Sequence, residues 1–237
     1  MDISTRNALK HEDAFARTTL TGFDWVQANR GRVIRITILA LVVIAAIIVA
    51  AVVYSQRSTA AENALGMAMA TYGTPIADPA QPVPPGVKTY ASAAERAKAA
   101  NPQFVDVAKR YGSMEAGENA LYFSGLTYAE MGQNSQAETT LRKAAGVRNH
   151  NIAALGKLAL ANLLAQSGRN DEAIKLLQQL TANPTTTVPA STAQLALAAV
   201  YQTTNPTAAN KIYTSLKDKD KTTAASSIAA SRLAGGK

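Results

Sequence analysis

The chain has 237 residues, 47% of them hydrophobic, 17% charged and 5% aromatic, with no cysteine and a formal net charge of +8. That length admits one ordinary domain with room for an anchor and falls short of a multidomain enzyme, while the absence of thiols excludes disulfides, thiolate metal sites and a cysteine nucleophile. Two histidines, His11 and His150, are too few for a multi-histidine metal cage, and a core of alanine and leucine favours closely packed helices over a β-sandwich or barrel.

Residues 1–32 are mixed in charge and carry Phe15, Phe23, Trp25 and Val26 ahead of Arg30 and Arg32, the composition of a flank that sets membrane topology. From Ile36 to Tyr54 nineteen residues carry no charge, and at about 1.5 Å per residue they span a hydrocarbon core of roughly 30 Å. Residues 33–57 are therefore expected to form a transmembrane helix. The apolar run is longer than that of a signal peptide and is preceded by far more than a normal n-region, so the expectation is an uncleaved anchor. Arg30, Arg32 and Arg35 crowd its N-terminal side and Arg57 alone follows closely, which predicts a cytoplasmic N-terminus. The rest of the chain then lies across the inner membrane, in the periplasm of a bacterial cell, where a chain without cysteine runs no risk of mispairing.

Ser58 to Tyr72 is rich in helix formers, and the membrane helix is expected to continue outward as the first helix of a degenerate repeat spanning 58–114. Residues 73–90 hold five prolines and read as an extended linker or a long loop inside that repeat. Ala100, Phe104 and Val107 then mark its second helix.

A repeat emerges further on. Gly125, Tyr128, Gly132, Ala137, Leu141 and Ala144 recur thirty-six residues later as Ala161, Leu164, Gly168, Ala173, Leu177 and Leu180. A looser third copy runs Ala209, Tyr213, Leu216, with Leu197, Ala198 and Tyr201 before it. A small residue at Gly125 or Ala161 lets the two helices of a hairpin touch. Gly132 and Gly168 suit a left-handed residue that ends the first helix, with Asn134 and Asn170 as expected caps of the second. Asn205 and Pro206 replace the turn glycine of the third copy. Residues 221–237 are expected to supply a closing helix, through Ala225, Ile228, Ala229 and Leu233, and a tail.

These positions resemble the tetratricopeptide repeat, a helix-turn-helix solenoid unit of about 34 residues, with three copies over 115–220. The fold expected is all-α: an N-terminal transmembrane helix followed by a tetratricopeptide-like helical-hairpin solenoid. Such solenoids bind partners in a groove lined by first helices. The pattern places Asn119, Tyr122, Leu126 and Glu130 there from the first copy, Leu155, Leu158, Asn162 and Gln166 from the second, and Leu195, Ala199 and Gln202 from the third. That lining is apolar and amide, without the cationic cluster that anion capture requires. Leu141 and Leu177 are expected in the core.

Beyond Arg57 the chain has seventeen Lys or Arg and twelve Asp or Glu, spread out rather than clustered. The most basic run, Lys211 to Lys221, alternates sign through Asp218 and Asp220, so no nucleic-acid footprint is read. No phosphate loop, HExxH, GxSxG or EF-hand pattern occurs, and His150 has no carboxylate neighbours in sequence. No catalytic residue, cofactor or metal is expected, and the chain reads as a non-enzyme.

The order of parts, with the flank Trp25-Val26-Gln27-Ala28-Asn29-Arg30-Gly31, the immediate span and three repeats behind a degenerate one, resembles the single-span bacterial proteins with a periplasmic tetratricopeptide domain described as ancillary subunits of the Sec translocon. That resemblance implies the protein-conducting channel and a membrane-anchored periplasmic chaperone as partners, and a scaffold or holdase role for secreted polypeptides. The proline-looped segment 73–90 departs from the pattern. A scaffold for envelope assembly or cell division remains the alternative, with an enzyme that uses the repeats for substrate docking as a third reading.

Overall fold

The computed structural model describes residues 25–78, 80, 86–219 and 222–235; Phe15, Phe23, Pro79, Pro82 to Pro85, Asp220 and Lys221 lie outside them. The chain divides between Arg57 and Ser58 into two compact units, and helix α1 (Arg30–Tyr72) contributes to both. In the first unit Asn29 donates from its backbone N–H and from Nδ2 to the Trp25 carbonyl, both at 3.0 Å, closing a helical turn ahead of α1. Ile36 to Tyr54 is exposed throughout. Among the described residues α1 is the one helix long and apolar enough to cross a membrane.

The second unit is built from helices, and no strand occurs among its described residues. After the C-terminal part of α1 come α2 (Ala93–Tyr111), α3 (Glu115–Glu130), α4 (Asn134–Ala144), α5 (His150–Gln166), α6 (Asn170–Ala182), α7 (Ala190–Thr204), α8 (Pro206–Lys219) and α9 (Ala224–Gly235). From α2 onward each helix packs on its neighbours in sequence, while α3 also touches α5 and α5 touches α7. Those contacts make a hairpin stack.

Two turns repeat the same chemistry. Gly132 and Gly168 adopt φ +72° and +77°, and the following Gln133 and Arg169 N–H groups reach back to the Tyr128 and Leu164 carbonyls, each at 2.9 Å. This left-handed closure satisfies carbonyls the helix end would otherwise orphan. Its brevity corrects one expectation: Asn134 and Asn170 are already the first residues of α4 and α6, and no side chain caps either helix. Caps occur elsewhere. Asn149 Oδ1 accepts from Asn151 and Ile152 N–H at 3.0 and 3.4 Å, and Asn205 Oδ1 accepts from Ala208 N–H at 3.1 Å.

The repeated positions are the core. Ala137, Ala144, Ala173, Leu177 and Ala161 are wholly buried, and Leu141, Leu180, Ala209, Tyr213 and Leu216 nearly so. Phe104, Ala100 and Val107 are buried on α2, where Phe104 stacks on Phe123 with ring centroids 5.4 Å apart and both meet Tyr72 edge-on. Each such pair contributes about 0.5–1.5 kcal/mol beyond its buried area, which fastens α1, α2 and α3 together. Beside it Asn101 Nδ2, buried, donates to Thr127 Oγ1 at 2.9 Å and to the Ser124 carbonyl at 3.2 Å. On either side of the proline-rich segment, Ala77 N–H donates to the Tyr90 carbonyl (2.8 Å) and Tyr90 N–H to the Pro75 carbonyl (3.0 Å).

Charge supplements packing between successive second helices. Glu138 on α4 accepts from Arg142 (2.7 Å) and from Arg169 (2.8 Å), which also pair with Glu172 on α6 at 3.1 and 2.7 Å. The hydrogen bond from Arg142 holds Glu138 below its usual carboxylate range, and that from Arg169 does the same for Glu172. A carboxylate lowered in the folded state adds stability above its unfolded pKa and loses it as pH falls through the folded one.

At the closing helix one residue departs from expectation: Ala229 is buried and Ala225 and Leu233 half-buried, whereas Ile228 is 47% exposed. Ser226 is buried as well, its Oγ donating to the Lys217 carbonyl at 3.0 Å.

Two predictions follow from these contacts. A Cβ on Gly125 would lie 2.6 Å from Leu141 Cδ2, whereas one on Gly66 meets nothing within 4 Å. Gly125→Ala should cost about 1–3 kcal/mol through forced repacking, and Gly66→Ala should add about 0.5–1 kcal/mol by removing a helix-interior glycine; chemical denaturation of the detergent-solubilised chain reads the opposed signs. Second, Glu138→Gln should lower the melting temperature at neutral pH and low salt. That deficit should shrink with added salt and vanish as pH falls below the usual carboxylate range, where the native Glu138 is protonated too.

Candidate functional site

The first helices present a stripe of residues set by helical spacing. On α5 Leu155, Leu158, Asn162 and Gln166 follow one another by three or four positions and so share a face; the two leucines are half-buried and the two amides exposed. On α3 Asn119, Tyr122 and Leu126 do the same and are half-buried. Between these stripes lies a cavity of about 230 Å³, walled by Tyr122, Leu126, Ala129, Leu155 and Leu158, floored by Leu141 and Leu163, with Asn162 and Gln166 at its edge. Burial raises the Tyr122 hydroxyl above its ordinary pKa, and its ring meets Phe123 edge-on at 5.2 Å. It therefore both lines the cavity and supports the core.

A second cavity of about 350 Å³ opens on the other flank of α5. Asn162 and Gln166 border it too, facing Ala196, Ala199, Val200 and Thr203 of α7. The two amides thus stand on a ridge between two cavities, and neither lining contains a charged side chain. Leu195 is half-buried and packs with Tyr213 and Leu216.

Glu130 sits in an intramolecular cluster. It accepts a hydrogen bond from the Tyr72 hydroxyl and lies 3.8 Å from Arg96, whose guanidinium stacks over the Tyr72 ring at 4.8 Å. Burial and the Glu130 bond push the Tyr72 hydroxyl well up. This carboxylate therefore joins α3 to α1 and α2.

Gln202 borders a third cavity, of about 650 Å³, shared with Ser227, Ile228, Ser231, Arg232 and Gly235 of α9. Arg232 was not expected here, because the inward set Ala225, Ile228, Ala229 and Leu233 turns the arginine elsewhere. Its signal in the sequence is the i, i+4 spacing of Ile228 with Arg232 and of Ser227 with Ser231. The other residue that sequence reasoning missed is Glu118, buried at the start of α3, which accepts from Arg148 and Asn149 N–H at 3.2 and 3.1 Å and holds the turn before α5. His150 and Lys157 border a separate opening near Asn183 and Pro184. Among the described residues no three His, Cys, Asp or Glu side chains converge as a metal site requires.

Fold and face together define an all-helical hairpin solenoid of tetratricopeptide type, preceded by one candidate membrane helix. The tetratricopeptide repeat family model matches residues 128–190, from the end of α3 to the start of α7. No curated protein and no solved structure matches the chain. Repeats of this family mediate protein–protein interaction, which is the class of activity the fold supports.

Proposed function

We propose that this chain is a membrane-anchored interaction scaffold that takes segments of other proteins on the face formed by α3, α5 and α7. The observation that carries this reading is the ridge of Asn162 and Gln166 between two uncharged cavities. Each amide offers a donor and an acceptor to a peptide unit, and the cavities offer apolar walls to the adjacent side chains. No cofactor or bond-making chemistry enters.

The site's surroundings are proposed on the sequence. The arginines before Ile36 favour an N-terminus in the cytoplasm, which puts the repeats in the periplasm. The flank Trp25 to Gly31 and the order of parts support a place beside the Sec channel and a periplasmic chaperone, holding secreted or envelope polypeptides as they emerge. Asn119, Tyr122, Leu126, Asn162, Gln166 and Gln202 are the proposed contacts. Glu130, engaged by Tyr72 and Arg96, shapes the border instead.

Two experiments check this. Protease added to spheroplasts should remove the part beyond Arg57 and leave a small protected fragment; a fully protected domain overturns the topology. A photo-crosslinker at Asn162 in intact membranes should trap channel, chaperone or emerging secreted chains, and adducts confined to division or envelope-assembly proteins overturn the translocon reading. Asn162→Ala should weaken capture per folded molecule with melting unchanged, whereas Leu141→Ala should cost about 2–5 kcal/mol of stability.

A further inference from the structure

The three cavities change character in order. The one between α3 and α5 is walled by Tyr122, Leu126 and Leu158. The next, between α5 and α7, is bordered by amides and small side chains. The last, between α7 and α9, is lined by Arg232, Ser227, Ser231 and Gln202, with no acidic residue among the described residues of its lining. Arg232 is the one cation among all three linings. Ile228, 47% exposed, lies beside it and supplies an apolar wall that strengthens a charge pair by excluding water.

We infer that this face is polarised and selects an extended polypeptide segment that places an apolar side chain between α3 and α5 and an aspartate or glutamate side chain against Arg232. The inference rests on the interaction reading above and names its substrate class. The Ser231 hydroxyl and the Gln202 amide complete the carboxylate's hydrogen bonds, since a carboxylate only accepts, while the Ser227 hydroxyl is engaged with the Thr223 carbonyl. Two helix spacings of roughly 8–10 Å separate the first cavity from the last, and an extended chain advances about 3.3 Å per residue. The apolar anchor and the acid therefore stand about six residues apart. Asn162 and Gln166 lie between them and hold the intervening backbone, which requires no particular side chain there. The last cavity is open at the surface, so a bound segment has room to run on past Arg232, which fits an internal acidic residue.

The test uses the full chain in detergent micelles and fluorescent ten-residue peptides, acetylated and amidated so that one side chain carries the only carboxylate. One peptide has leucine at its third position and glutamate at its ninth, a second has glutamine at the ninth, and a third has glutamate moved to the fifth. At low salt the first should bind at least about tenfold tighter than the other two, and the advantage should shrink at high salt. Arg232→Gln should erase the advantage while melting stays as in the native chain. Equal binding of all three peptides, or an advantage that survives Arg232→Gln, overturns this inference and leaves the interaction reading standing. Failure of every peptide to bind overturns both. A glutamine peptide with a free carboxyl end that binds as tightly as the glutamate peptide assigns the cavity to chain termini and overturns the side-chain assignment.

Discussion

No hairpin of this domain can bury its apolar strip alone, and everything else follows from that constraint. Second helices carry an alanine, a leucine or tyrosine, and a further small or apolar residue at three- and four-residue spacing, as in Ala137, Leu141, Ala144 and their counterparts Ala173, Leu177, Leu180. The strip is covered only when the next hairpin arrives. Alanine sets how closely helices approach, and the leucine one turn later fills the space so created. Glu118 and the Glu138–Arg142–Arg169–Glu172 cluster then fix how one repeat sits on the next, the first by receiving two backbone N–H groups and the second by charge on an exposed surface, where such pairs act weakly.

The N-terminal end of the stack solves the same problem with different chemistry. There the C-terminal part of α1 meets α2 and α3 through Tyr72, Phe104 and Phe123, and α2 meets α3 through the polar knot of Asn101, Ser124 and Thr127. Aromatic rings supply large buried area from few residues, and a buried amide admits one geometry because each unpaired group is costly. Residues 76 and 90, which flank the proline-rich segment, are joined by the Ile76–Tyr90 bridge.

The binding face is a by-product of that stacking. First helices pack on one another less closely than the members of each hairpin, so cavities open between α3 and α5 and between α5 and α7. What lines them is whatever the first helices do not need for the core. That is why amides and half-buried leucines occur there together, and why Tyr122 serves both core and cavity. Charge is excluded from the middle of the face and appears where α9 closes the stack.

The all-helical class, the left-handed glycines and the identity of core alanines and leucines were legible in the chain, because periodicity and turn chemistry are local and the thirty-six-residue recurrence reports a repeated contact. The candidate span was legible for the same reason. Asn134 and Asn170 were misread as caps because the length of a left-handed turn is decided by its own hydrogen bonds. On α9 the inward set held for Ala229, with Ala225 and Leu233 half-buried, and only Ile228 was misplaced, because Ser226 instead meets α8 through its bond to the Lys217 carbonyl across a helix junction. Ile228 lies beside Arg232 at the end of the face. Which groups meet across helices far apart in sequence, such as Tyr72 with Glu130 or Arg148 with Glu118, was decided by packing alone, since a pattern along one helix says which side is apolar and carries no record of what the opposite wall will be.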